Sequence, residues 1–87
     1  MRTEQIISDL QNFIRDRFGV PENDPEFHDN VNLFDFGYVD SMGAVELAEF
    51  VEQHFGVEVT DSDWINSNLN SIRDISDFIS RRQNGKE

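Results

Sequence analysis

The amino-acid sequence predicts an all-α fold, a small bundle of three longer helices plus one short helix, built by a single domain over residues 1–87. Three observations carry this prediction. First, apolar residues recur three or four apart in three stretches. They are Ile6, Ile7, Leu10, Phe13, Ile14 and Phe18, then Met42, Val45, Ala48, Phe50, Val51 and Phe55, then Ile72, Ile75, Phe78 and Ile79. Second, Gly19 and Gly56 follow the first two stretches, where a helix commonly ends on a glycine. Third, strand-like alternation is confined to Val57-Glu58-Val59, too short to build a sheet. Ten aromatic residues, eight of them phenylalanine, argue against disorder.

Taken in order, Thr3 is placed to cap the first helix, whose apolar stripe faces inward. Residues 20–32 form a loop. Pro21 and Pro25 block regular pairing, Glu22, Asn23, Asp24, Asp29 and Asn30 fill it with polar and turn-forming residues, and Phe27 anchors it to the core. The stretch from Leu33 to Asp40 continues as loop, with Gly37 suited to a tight turn because it adopts a positive φ without steric cost. Asp40 and Ser41 are both favoured N-cap types, and the second helix is expected from about Ser41 to about Phe55. Its buried side is expected to use Val45, Leu47, Phe50 or Val51, and Phe55. Glu46, Glu49 and Glu52 recur every three residues and form a slowly drifting acidic ridge that starts beside Ser41. His54 lies near the helix C-terminus, where a cation is favourable.

Thr60, Asp61, Ser62 and Asp63 offer caps for a short helix that contains Trp64 and Ile65. Ser71-Ile72-Arg73-Asp74 resembles a capping box that opens the last helix. Arg81, Arg82 and Lys86 place positive charge at its C-terminal end, and residues 83–87 are expected to fray.

Eighteen acidic residues against seven basic ones give a formal charge of −11. That balance argues against nucleic acid as a partner, since such binding depends on neutralising phosphates with Lys and Arg. It favours basic patches on partner proteins, or serves solubility alone. The chain has no cysteine, so neither a disulfide nor a thiolate metal site is available. Met1-Arg2-Thr3-Glu4-Gln5 leads into an amphipathic helix instead of the apolar run of a signal peptide, and no stretch has the length of a membrane span. A cytoplasmic monomer is the expectation.

Asp61 and Asp63 hint at a calcium loop, but Ile65 and Asn66 stand where that loop needs an oxygen ligand and a glycine. Ser41 with Gly43 resembles half of a nucleophile elbow, yet Val39 occupies the other glycine position. Neither His28 nor His54 lies in the context of a triad base. The sequence thus carries no catalytic machinery and no metal site. What it does carry is a hydroxyl, Ser41, at a helix N-terminus, where free N–H groups and the positive dipole end favour a phosphate.

The run Gly37-Tyr38-Val39-Asp40-Ser41-Met42, followed by Val45-Glu46-Leu47, resembles the prosthetic-group motif of acyl carrier proteins and peptidyl carrier domains. The likeness extends from about Ile6 to about Ile79. It implies an acyl-carrier-like bundle that is not an enzyme. Ser41 would carry phosphopantetheine through a phosphodiester, and the terminal thiol would hold an acyl or aminoacyl cargo as a thioester. Asp40 would orient the serine or assist the transferase and its metal, and Met42 would be a soft apolar contact beside the arm. Glu46, Glu49 and Glu52 would meet basic docking patches on partners. Those partners would be a phosphopantetheinyl transferase, the acyl- or aminoacyl-loading enzyme and downstream biosynthetic enzymes. Fatty-acid carriers place one residue between the glycine and the Asp-Ser pair, whereas Tyr38 and Val39 make two here. That spacing is closer to D-alanyl carrier proteins and to stand-alone carriers of specialised pathways. A different class stays open on the residues alone, a small acidic helical protein-interaction module with Ser41 an ordinary N-cap and no prosthetic group.

Overall fold

The structure, a computed structural model, describes residues 2–85. Four helices follow one another, α1 (Thr3–Phe18), α2 (Ser41–Phe55), α3 (Asp61–Asn66) and α4 (Ile72–Asn84), and no strand occurs among the described residues. The three longer helices and the short one match the expected all-α architecture.

Each long helix buries one stripe. Ile6, Leu10 and Ile14 are four apart and fully buried on α1. Ile72, Ile75, Phe78 and Ile79 are buried on α4, and α1 packs against α4. Leu47, Val51 and Phe55 repeat the four-residue spacing on α2. Each such side chain contributes about 1.5–3 kcal/mol through removal from water. Ser76 is buried among them, and its hydroxyl donates to the Arg73 carbonyl at 3.0 Å, so no polar atom is stranded there.

The loop before α2 belongs to the same core through Val20, Phe27, Val31, Leu33 and Val39. Phe27 anchors it as expected, edge-on to Tyr38 at 5.2 Å and beneath the Arg15 guanidinium at 5.0 Å. The Tyr38 hydroxyl donates to Asp24 at 2.9 Å. Desolvation, that hydrogen bond and the charges of Asp24 and Glu26 hold the Tyr38 phenol above its ordinary range. Two backbone bonds tie the loop to the far end of the chain. The Leu33 amide donates to the Asn70 carbonyl at 2.8 Å, and the Arg73 amide to the Asp29 carbonyl at 2.9 Å.

Several local expectations are corrected. Thr3 is the first helical residue, not the cap. Arg2 occupies the N-cap position without a side-chain bond, because the first turn closes on the Arg2 carbonyl, which accepts the Ile6 amide at 3.0 Å. Val45 does not join the buried side of α2. It is 60% exposed, and Leu47 and Val51 hold the core-facing positions. At Ser71 the hydroxyl accepts the Asp74 amide, while the fully reciprocal capping box forms at Thr60 and Asp63. Gln83 and Asn84 remain helical, since the Gln83 carboxamide donates to the Phe55 carbonyl at 3.2 Å. Gly85 is the C-cap, its amide donating to the Arg81 carbonyl, and the rest of the expected frayed end, residues 86 and 87, lies outside the described residues.

Candidate functional site

The approach to α2 is built from short-range bonds. The Asn32 carboxamide oxygen accepts the amides of Phe34 and Asp35, which curls the chain into a turn that Gly37 completes at φ 78°. The Leu33 carbonyl then accepts both the Tyr38 and Val39 amides, at 2.9 and 3.1 Å. Val39 is buried, so the next two residues, Asp40 and Ser41, are delivered to the surface.

Asp40 is the N-cap of α2. Its backbone is extended, its carbonyl accepts the Ala44 amide at 2.8 Å, and its Oδ1 accepts the Gly43 amide at 2.8 Å. Ser41 is therefore the first helical residue. It is exposed, and among the described residues its hydroxyl has no hydrogen-bond partner. With the Gly43 amide taken, the Ser41 and Met42 amides are the open donors of the first turn. A free hydroxyl beside two free N–H groups at the positive end of a 15-residue helix suits a phosphate ester.

A cleft of about 440 Å³ opens at Ser41 and runs between α2 and α3. On the α2 side it passes Ala44, Val45 and Ala48, whose small side chains leave room. Opposite stand Phe34, Val59 and Trp64, with Trp64 edge-on to Phe34 at 5.9 Å. Its polar lining includes Glu49, Glu52, Glu58 and Asp61, and no basic residue lines it. Four large apolar side chains face solvent, Met42 (75% exposed) and Val45 on α2, Phe36 (54%) on the loop and Ile65 (74%) on α3, and Val45 among them lines the cleft. The roomy channel, with its aromatic and small-residue walls, and the open donors at its entrance fit a long, flexible phosphate-linked arm.

The structure separates the acidic ridge. Three residues advance a helix by about 60° less than a full turn, so Glu46 and Glu52 point about 120° apart. Glu49 and Glu52 line the cleft, whereas Glu46 turns to α1 and accepts from Arg17 at 2.7 Å. His54 bonds Asp9 at 3.0 Å and stacks on Phe50, linking α1 to α2 away from Ser41. His28 accepts the Asn30 amide on Nδ1 and holds its own turn. The cleft's far wall was not read from the sequence as part of the site. Its one signal there is the tryptophan of a helix too short to bury a stripe, facing a helix with Ala44 and Ala48 four apart.

The family model described as the phosphopantetheine attachment site matches residues 8–79. The chain belongs to this family, that of the acyl carrier proteins. No curated protein matches it. Its prosthetic group is phosphopantetheine, attached covalently to a serine. It is a carrier and not an enzyme, and it works with transferases and biosynthetic enzymes. No helix among the described residues is long and apolar enough to cross a membrane.

Proposed function

We propose that Ser41 is the serine that bears phosphopantetheine, and that the chain is an acyl or aminoacyl carrier for which the α2–α3 cleft is the resting place of the arm. The observation that carries this is the exposed, unpaired Ser41 hydroxyl at the first position of α2, with Asp40 turned inward to cap Gly43 and the cleft opening beside it. When bound, the group supplies a terminal thiol that holds the cargo as a thioester. The protein's own part is presentation. Asp40 fixes the turn, the open amides of Ser41 and Met42 face the phosphate, and Met42 and Val45 give apolar footing to the arm and to docking enzymes. Glu49 and Glu52 favour partners with basic docking patches, and Glu46 adds charge on the α1 side.

Four carboxylates and no cation along the cleft favour a neutral or ammonium-bearing cargo over a carboxylate-bearing one. The two-residue spacing from Gly37 to Asp40 supports a D-alanyl-type or specialised stand-alone carrier over a fatty-acid one. A monomer acting in the cytoplasm completes the reading. The test is intact mass after co-expression with a broad phosphopantetheinyl transferase. The wild type gains one phosphopantetheine, and Ser41→Ala gains none. Modification of Ser41→Ala would move the attachment elsewhere.

A further inference from the structure

Gly43 lies buried in the first turn of α2, where glycine is the weaker helix former by about 1 kcal/mol relative to alanine. Its geometry explains its presence. A Cβ at this position would stand 2.9 Å from Cε1 and 3.2 Å from Cζ of Phe18, and 3.2 Å from Oδ1 of Asp40. The Phe18 ring, at the last residue of α1, thus presses directly on the bare backbone of the attachment turn. That ring is backed in turn. Phe13 meets it edge-on at 6.0 Å, and Phe13 stacks on Phe50 of α2 at 4.1 Å. The Gly43 amide meanwhile holds the Asp40 carboxylate at 2.8 Å. Ser41 sits on a turn bounded by an aromatic wall and a carboxylate, both of which reach it through Gly43.

We infer that Gly43 and Phe18 are positioning residues for phosphopantetheine transfer: the missing side chain lets the end of α1 brace the turn that presents the Ser41 hydroxyl. The inference rests on Ser41 being the attachment residue. In the transfer, the Ser41 Oγ–H bond and a pyrophosphate P–O bond of coenzyme A break and an Oγ–P bond forms. The nucleotide half leaves as adenosine bisphosphate, and the serine proton passes to a base on the transferase. None of these steps involves Gly43 or Phe18 directly, so their effect is on where Oγ lies when coenzyme A is bound.

The experiment measures kcat and KM for transferase-catalysed modification of Gly43→Ala, Phe18→Leu and the double variant, with thermal melting and helical circular dichroism alongside. Gly43→Ala is expected to lower kcat by about tenfold or more, since small misplacements of a reacting atom are costly, with KM near wild type because the exposed docking residues are untouched. Phe18→Leu, which removes the ring but leaves α2 intact, is expected to lower kcat severalfold. The double variant, with the shorter side chain making room for the new methyl, is expected to recover most of the loss that Gly43→Ala alone causes. Wild-type kcat in Gly43→Ala, or a double variant no faster than Gly43→Ala, would overturn the inference. If Gly43→Ala does not fold, Phe18→Leu decides alone, and wild-type kcat there overturns it. Ser41→Ala in the same assay keeps the two readings apart. If it is still modified, the attachment residue is wrong; if it is inert while Gly43→Ala is unimpaired, only the bracing is wrong.

Discussion

Helices α4 and α3 use their apolar residues in opposite ways. The four large apolar residues of α4, Ile72, Ile75, Phe78 and Ile79, are buried, and the helix packs along α1. The six residues of α3 bury none, Ile65 is 74% exposed, and Trp64 faces the cleft. The same split runs along α2, where Leu47, Val51 and Phe55 point into the core while Met42 and Val45 point out around Ser41. One part of the molecule holds it folded. The other leaves large apolar side chains in solvent, and one of them, Val45, lines the cleft that opens at Ser41. If Ser41 carries the arm, as proposed, exposed apolar side chains of this kind would give a partner its footing.

The largest expected effect tests this division directly. Leu10→Ala removes a fully buried side chain and is expected to cost about 2–5 kcal/mol in urea denaturation, a large share of the stability of a domain this size. Val45→Ala is expected to change stability by less than about 0.5 kcal/mol, as exposed positions do, while slowing loading by partner enzymes. Equal destabilisation by the two would place Val45 in the core and erase the distinction.

The second test separates neighbours. Asp40 caps α2 and Ser41 does not, so Asp40→Ala is expected to cost about 0.5–2 kcal/mol and Ser41→Ala less than about 0.5 kcal/mol. Thermal unfolding of the two variants reads the difference. A Ser41→Ala loss as large as that of Asp40→Ala would make the serine structural.

The core half was legible in the sequence and the site half only partly. The stripes of α1 and α4 announce themselves because burial demands apolar residues at helical spacing, and Gly19 and Gly56 end their helices at φ 69° and 72° as a left-handed terminus requires. The start of α2 at Asp40 and Ser41 was legible because capping chemistry is local. Val45 was misplaced because an exposed valine and a core valine carry the same apolar character. Periodicity cannot tell which side the protein itself covers. The role of Glu46 was hidden for another reason: Arg17, its partner, lies 29 residues away, and only the packing of α1 on α2 brings them together. The cleft needed the same tertiary information, since Phe34, Val59 and Trp64 share no local pattern.

A third test concerns charge. Glu49→Lys with Glu52→Lys reverses two carboxylates on the cleft side, and is expected to slow loading by the cognate partner severalfold in low salt, with the loss shrinking as salt screens it. Glu46→Lys, which faces α1, is expected to slow it less and to cost at most about 1 kcal/mol of stability through its half-exposed pair with Arg17. If the Glu46 reversal is the more damaging for loading, the docking face lies on the α1 side.

The smallest effect asks whether α3 is a separately weak part. One carboxylate both caps it and ties it to α4. Asp63 accepts the Thr60 amide at 2.9 Å, the Thr60 hydroxyl at 3.0 Å and the Arg82 guanidinium of α4 at 3.0 Å. The Thr60 amide first, then the Thr60 hydroxyl and the Arg82 charge, hold the Asp63 carboxyl below its ordinary value of 3.8 against the opposing effect of desolvation. A carboxyl depressed in the folded state adds stability that is fully present above its unfolded value and is lost as pH falls through the folded one. Trp64, the next residue, reports on α3 by its emission. That emission is expected to hold steady from neutral pH down to the region of that ordinary value and to change below it, before the helical signal of the whole chain is lost. Arg82→Gln removes one of the three donors and is expected to move the Trp64 midpoint to higher pH, with a stability cost of no more than about 1 kcal/mol because the arginine is half exposed. A Trp64 transition that coincides with global unfolding in both proteins would mean that α3 melts with the core, and that the contrast with α4 is one of burial and not of stability.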